Sequence, residues 1–175
     1  MTKKAKLIID GKEIEVEITQ EQLDKLCPPK KKTGYEKVED RNNSRENFYF
    51  YVDRTGIVES TKNIGMAYDD AFYDNANYYS HYAVAKNNAR ADKLMRQLRR
   101  FAVEHREKEL DWHNDNQTKW YISYRNTNKS FNVYLTYIVQ DFGKIYFDTK
   151  ETAQLAIDTF KDELLWYFTE YKDSL

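Results

Sequence analysis

Cysteine is almost missing from this chain: Cys27 stands alone among 175 residues. No disulfide can form within the chain, and a zinc site could draw on one thiolate at most. Cys27 sits against Pro28 with no histidine near it in sequence, which is the setting of an ordinary residue. Proline and glycine are scarce too, at 2 and 5, so the chain is not of low complexity. No apolar run approaches the roughly 18 residues that a membrane span needs. The short stretch Leu7-Ile8-Ile9 behind the first lysines is too brief for a signal-peptide core. A Gly-rich phosphate loop and a Gly-x-Ser-x-Gly elbow are both lacking. Formal net charge is −1, so global charge selects neither nucleic acid nor an acidic partner. These absences predict a soluble, cytoplasmic protein with no cofactor and no membrane partner.

What is abundant is tyrosine: 15 Tyr stand beside 9 Phe and 3 Trp. Their arrangement predicts an α+β fold. Residues 1–27 read as a ββα module. Ile14, Val16 and Ile18 alternate with Glu13, Glu15 and Glu17, the period of a half-buried strand. Asp10-Gly11 is a two-residue hairpin turn, and Thr19 with Gln22 forms a capping box opening the helix Gln20–Leu26. A module this small does not hold a core of its own. Residues 28–46, with two prolines and the run Lys30-Lys31-Lys32, have linker composition.

The segment 47–175 reads as an α+β domain with an internal repeat, 47–110 and 118–175. Each half has an aromatic strand hairpin, a short aromatic strand, a capping residue (Ser80 or Asp148) and an amphipathic helix. Val84, Ala91, Leu94, Met95, Leu98, Phe101 and Ala102 share one helix face; Ala153, Ala156, Ile157, Phe160, Leu164 and Phe168 share the other. The two halves are expected to pair their strands and pack both helices on one face of an antiparallel sheet.

Strand alternation sets Tyr49 and Tyr51 opposite Phe48, Phe50 and Val52. Tyr121 and Tyr134 alternate with apolar neighbours in the same way. Such a tyrosine face is either solvated packing or a binding surface, since Tyr is enriched in interface hot spots. A helix from His81 to Lys108 carries Lys93, Arg96, Arg99 and Arg100 among few acids; it is either a solvated face or one that meets phosphates or an acidic protein. Asp69, Asp70 and Asp74 form an acidic segment that reads as a solvated loop, an imitation of nucleic acid or a divalent-metal site. His105, Glu109 and His113, four apart, would share a face only if the helix ran that far; Asp111 and Asn114 argue that it ends before.

The stretches "LIIDGKEIEVEIT", "KKTGYEKVE", "FYFYVDRTGIVES" and "NYYSHYAVAKNNA" resemble a family of small accessory proteins encoded by phages and prophages of low-GC Gram-positive bacteria. Tyr49-Phe50-Tyr51-Val52-Asp53…Gly56-Ile57-Val58 and Asn77-Tyr78-Tyr79 match its motifs, and "GKIYFDTKETAQLAID" is similar to its second strand-to-helix entry. Ser80-His81-Tyr82 departs from that family's more acidic helix start. The resemblance implies life in the cytoplasm of a bacterial host. It also implies a counter-defence role: non-enzymatic inhibition of a bacterial defence protein or ribonucleoprotein, with a type II CRISPR nuclease as candidate. The contacts expected are Tyr49, Tyr51, Tyr121, Tyr134, Lys93, Arg96, Arg99 and Arg100. The alternatives are a nucleic-acid-binding module, a metal-dependent nuclease using Asp69, Asp70 and Asp74, and a homodimer built through exposed strands.

Overall fold

A computed structural model describes residues 2–9, 12–26, 32–38 and 47–175. They fall in two units, Met1–Thr33 and Gly34–Leu175. Among the described residues no helix is long and apolar enough to cross a membrane.

In the first unit, β1 (Thr2–Ile9) pairs antiparallel with β2 (Lys12–Thr19), and α1 (Gln20–Leu26) follows directly. The register sets Ile14 opposite Leu7 and Val16 opposite Ala5, while Glu15 and Glu17 stand opposite Lys6 and Lys4. On β2, Ile14, Val16 and Ile18 therefore share one face of the ribbon and Glu13, Glu15 and Glu17 the other, while on β1 Ile8 falls opposite Glu13. The Asp10-Gly11 turn and Cys27 lie outside the described residues. The capping box is present: the Thr19 amide donates to Gln22 Oε1 at 2.8 Å, and the Gln22 amide donates to Thr19 Oγ1 at 3.2 Å.

The second unit repeats one motif twice. Its first half comprises β3 (Phe48–Val52), β4 (Val58–Lys62), α2 (Ala67–Asp74) and α3 (Tyr82–Glu104). The second comprises β5 (Lys119–Arg125), β6 (Ser130–Thr136), β7 (Tyr146–Phe147), α4 (Lys150–Thr159) and α5 (Lys161–Thr169). A returning aromatic dipeptide pairs with the first strand of each hairpin. Tyr79 bridges Phe50, and Phe147 pairs with Trp120. Two residues later comes the helix N-cap, His81 or Thr149. This register makes Phe50 equivalent to Trp120, Tyr51 to Tyr121, and Tyr49 to Lys119.

Three expectations are corrected. The halves do not pair strands: β3-β4 and β6-β5-β7 are separate sheets, joined instead by α3, which packs on the first hairpin and against α4 and α5. The helix caps also move. Thr149, not Asp148, caps α4, its Oγ1 accepting from the Thr152 amide at 3.1 Å. Ser80 does not cap α3; its hydroxyl donates to Glu36 at 2.7 Å. Lastly, residues 34–38 are not linker but a strap on the second unit. The Ser80 amide donates to the Gly34 carbonyl at 2.8 Å, and the Val38 amide donates to the Tyr78 hydroxyl at 3.0 Å. Gly34 has φ +95°, and a Cβ there would stand 2.6 Å from Val84 Cγ2, so only glycine fits.

The helix periodicity stands except at Phe168, which is exposed, because the break at Phe160 resets the phase and turns Trp166 inward instead; Met95 and Phe160 are half-buried. Val84, Ala91, Leu94, Leu98, Phe101 and Ala102 of α3 are buried, as are Ala153, Ala156, Ile157 and Leu164 of α4 and α5. The second helix is broken at Phe160, where φ is −111° and ψ 22°. Just before the break the Thr159 hydroxyl donates to the Leu155 carbonyl at 2.7 Å, a back-bond that bends helices. Most of the core lies between α3, α4, α5 and the inner face of the second sheet, where Trp120, Ile122, Phe131 and Val133 point inward.

Candidate interaction surface

The tyrosine-coated faces of the two hairpins have different fates. In the first half, α2 closes over the face. Tyr49 is 0% exposed; its ring stacks on Tyr78 at 4.0 Å, and its hydroxyl donates to Asp69 Oδ1 at 2.9 Å. Phe72 covers Tyr51, ring to ring at 4.5 Å. Burial beside the Asp69 carboxylate pushes the Tyr49 hydroxyl's pKa far up. Tyr49 is therefore core and not a contact residue, which corrects its place among the expected contacts, and Tyr51 is half-buried beneath α2.

Asp69 is likewise structural. It is fully buried, and its Oδ2 accepts the Ile64 and Met66 amides at 3.1 and 3.0 Å. Asp70 pairs with Lys37 of the strap. Asp69, Asp70 and Asp74 therefore do not act together as an acidic surface or a metal site. Among the described residues no group of three or more His, Cys, Asp or Glu is placed to hold a metal ion. Helix α3 ends at Glu104, and His105 turns its ring onto Phe101 at 3.9 Å. His105, Glu109 and His113 share no helical face.

The motifs that carry the resemblance have structural roles. Asp53 Oδ1 accepts from the Thr55 amide, the Thr55 hydroxyl and the Ile57 amide at 2.7–2.9 Å, shaping the β3–β4 turn that Gly56 closes at φ +87°. These bonds hold the Asp53 carboxyl below its ordinary pKa. Asn77 clamps Val52 through both its amide nitrogen and its oxygen, each at 2.8 Å, aligning the Tyr79 bridge.

In the second half no helix covers the equivalent face. The loop before β5 reaches only its edge. Trp112 packs on Tyr146 at 4.8 Å and lies over the Lys119 ammonium at 5.1 Å. Lys119 is itself fully buried and donates to the Asn114 and Tyr137 carbonyls at 3.0 and 2.9 Å. Beyond that edge Tyr121 and Tyr134 remain part-exposed, 6.0 Å apart. Arg125 donates to the Tyr134 hydroxyl at 2.7 Å, and Lys144 sits over the Tyr121 ring at 3.7 Å. A hydrogen bond to Asp141 raises the Lys144 pKa, which keeps this ammonium charged.

Lys144 also joins this face to α3. With Arg99 and Arg106 it lines a cleft of about 210 Å³ floored by Ala102 and Tyr146. Next to it the β6–β7 loop exposes Tyr137, Ile138 and Val139, with Phe142 wholly in solvent at its tip. These apolar and aromatic groups, beside three cations, make an interface-like patch.

Of the expected contacts, Arg99, Tyr121 and Tyr134 thus converge. Lys93, Arg96 and Arg100 are exposed elsewhere on α3. Arg96 borders a separate polar cleft with Asp53, Arg54 and Asp92, and Arg100 lies 3.8 Å from Glu104. Arg106, Lys144, Ile138, Val139 and Phe142 escaped sequence reading. The available signal was Ile138-Val139 and Phe142-Gly143, bulky apolar residues beside a turn glycine, where polar residues are the rule.

No known protein family matches the chain, and neither a curated protein nor a solved structure is similar to it.

Proposed function

We propose that this chain is a non-enzymatic binding protein. Its working surface is the open face of the second half: Arg99, Arg106 and Lys144 around one cleft, Tyr121 and Tyr134 beside it, and the Ile138–Phe142 loop at its border. The observation that carries the reading is Lys144, which links the helix cations to the exposed tyrosines in one continuous patch. Aromatic groups and arginine dominate binding energy in protein interfaces, and fixed cations steer an acidic partner toward them. The motif resemblance to phage accessory proteins supports a finer target. On that reading the partner is a bacterial defence complex, a type II CRISPR nuclease first, and the mechanism is occlusion of a protein or protein–RNA surface.

The test is to titrate the purified protein into a type II CRISPR nuclease with its guide RNA and follow DNA cleavage and complex size. Inhibition is expected to be stoichiometric. Arg99→Ala with Arg106→Ala should weaken it at least tenfold without lowering the melting temperature, and Phe142→Ala should weaken it further. Uninhibited cleavage with no complex formed would overturn the target. Binding to bare RNA or DNA with a steep salt dependence would replace it with the nucleic-acid reading.

A further inference from the structure

Lys119, the first residue of β5, is a charged side chain in the core, at 0% exposure. A buried ammonium is costly unless partners answer both its charge and its hydrogen bonds. Among the described residues no carboxylate pairs with this one. Its ammonium donates instead to two main-chain carbonyls, Asn114 at 3.0 Å and Tyr137 at 2.9 Å, with the Trp112 ring 5.1 Å away. Asn114 lies in the segment before β5, and Tyr137 comes directly after β6. One cation thus ties together the two loops that border the open tyrosine face.

The first half shows the same position at work. Lys119 stands where Tyr49 stands there, and Tyr49 donates to Asp69, which accepts the Ile64 and Met66 amides. Each buried residue thus fastens the chain that leaves the second strand of its hairpin. In the first half that chain goes on into α2, which packs on the hairpin. In the second it remains a loop. Its other ties to the frame include the Val139 amide donating to Thr136 Oγ1 at 3.1 Å and the Asp141 amide donating to the Tyr146 hydroxyl at 2.6 Å. Both join neutral groups. The bond from Lys119 to Tyr137 is charge-assisted and removed from water, which makes it the strongest of the three.

We propose that Lys119 is the positioning residue of the working surface: its ammonium pins the Tyr137 carbonyl and so holds Ile138, Val139 and Phe142 in place in the free protein. Contact residues kept in position by a supporting shell lose less freedom when a partner arrives. The consequence for binding rests on the docking reading; the order of the loop does not.

Amide relaxation by NMR on the full chain reads the loop residue by residue. In the wild type, residues 138–142 should be as ordered as the strands, with order parameters near about 0.85. Lys119→Met, which keeps the apolar bulk and removes the charge, should drop these amides below about 0.6 while those of β5 and β6 keep their values. In Lys119→Ala, n-propylammonium, which replaces the side-chain atoms removed, should restore the loop, and sodium chloride at the same concentration should not. Inhibition of the nuclease should weaken roughly tenfold in Lys119→Met, although residue 119 touches no partner. A loop that stays ordered in Lys119→Met would overturn the proposal. So would full inhibition by Lys119→Met with the loop loosened, and that result would leave the docking reading intact. If the wild type does not inhibit, the docking target falls and the loop measurement alone decides the proposal. If neither lysine variant folds, the wild type decides: the Lys119 ammonium protons should exchange with water slowly enough to give a resolved signal, and exchange as fast as in an exposed lysine would overturn the assignment.

Discussion

The two halves of the second unit share a frame and differ in one segment. In each, a hairpin is joined by a returning aromatic dipeptide, then an N-cap, then a helix. Residues 63–77 of the first half contain α2, which buries Tyr49 and Tyr78 and half-buries Tyr51 beneath Phe72 and Tyr73. Residues 137–145 of the second half form a loop that lays only Lys144 on the tyrosine face, over Tyr121, and exposes its own apolar groups. At equivalent positions the two strands are buried alike, Tyr49 and Lys119 fully and Tyr51 and Tyr121 half; what differs is the cover, a helix in one half and a loop in the other. The chain after each hairpin folds back in both halves, bringing Phe72 onto Tyr51 in one and the Lys144 ammonium onto Tyr121 in the other.

The largest expected effect of this difference is Tyr49→Ala, which should cost about 4 kcal/mol of folding free energy in urea titration, the loss typical of a deleted buried aromatic. Asp69→Ala follows at about 3 kcal/mol, because Tyr49 and two backbone amides lose their acceptor together. Gly34→Ala should cost about 2 kcal/mol, through a left-handed backbone and a clash with Val84. Gly56→Ala, equally left-handed but in open space, should cost about 1 kcal/mol.

Alkali should act on the buried tyrosines. Burial raises the hydroxyls of Tyr79 and Tyr171 to about 12, above the ordinary tyrosine value near 10. The unfolded chain therefore loses these protons first. Their contribution is fully present below about pH 10 and is lost as pH rises from there through about 12. Circular dichroism against pH, read beside tyrosinate absorbance, should show unfolding and ionisation of these groups together. Acid acts on a different contact. Arg90, bonded to Glu163 at 2.8 and 3.0 Å, holds that carboxyl below its ordinary pKa. The stability it adds is present above the ordinary carboxylate range and fades as pH falls through it. The smallest change should come from Tyr134→Ala on the open face, under about 1 kcal/mol, as for surface substitutions. If Tyr134→Ala unfolded the protein as Tyr49→Ala is expected to, the reading of this face as open would fail.

Much of the frame was legible in the sequence. Period-2 alternation located the strands, 3.6-residue periodicity gave the buried faces of α3 and α4, and Thr19 with Gln22 gave the first cap. What escaped reading were pairings distant along the chain. Tyr49 reads like Tyr121 locally; the pairing with the returning dipeptide shows that it occupies the fully buried position of Lys119 instead, with Asp69 as its partner. Ser80 and Asp148 are good capping residues by type, yet tertiary partners took both: Glu36 for the first, the Glu107 and Lys108 amides for the second. Of the candidate site, Arg99, Tyr121 and Tyr134 were legible as residue types. Lys144, which joins them, was not, because nothing local to "DFGKI" shows that its side chain crosses to Tyr121.

The returning dipeptide pairs with its hairpin in the same register whether a helix or a bare loop precedes it. The middle of the span between hairpin and dipeptide is thus a cassette: its contents can be lengthened, shortened or replaced as long as the ends that bond the frame are kept, Asn77 on Val52 in one half and the Tyr137 carbonyl on Lys119 in the other. Descent with variation would concentrate there, and so would a deliberate graft. A helix patterned on residues 63–77, placed between Thr136 and Tyr146, would convert the open half into a second closed one and retire the surface with it.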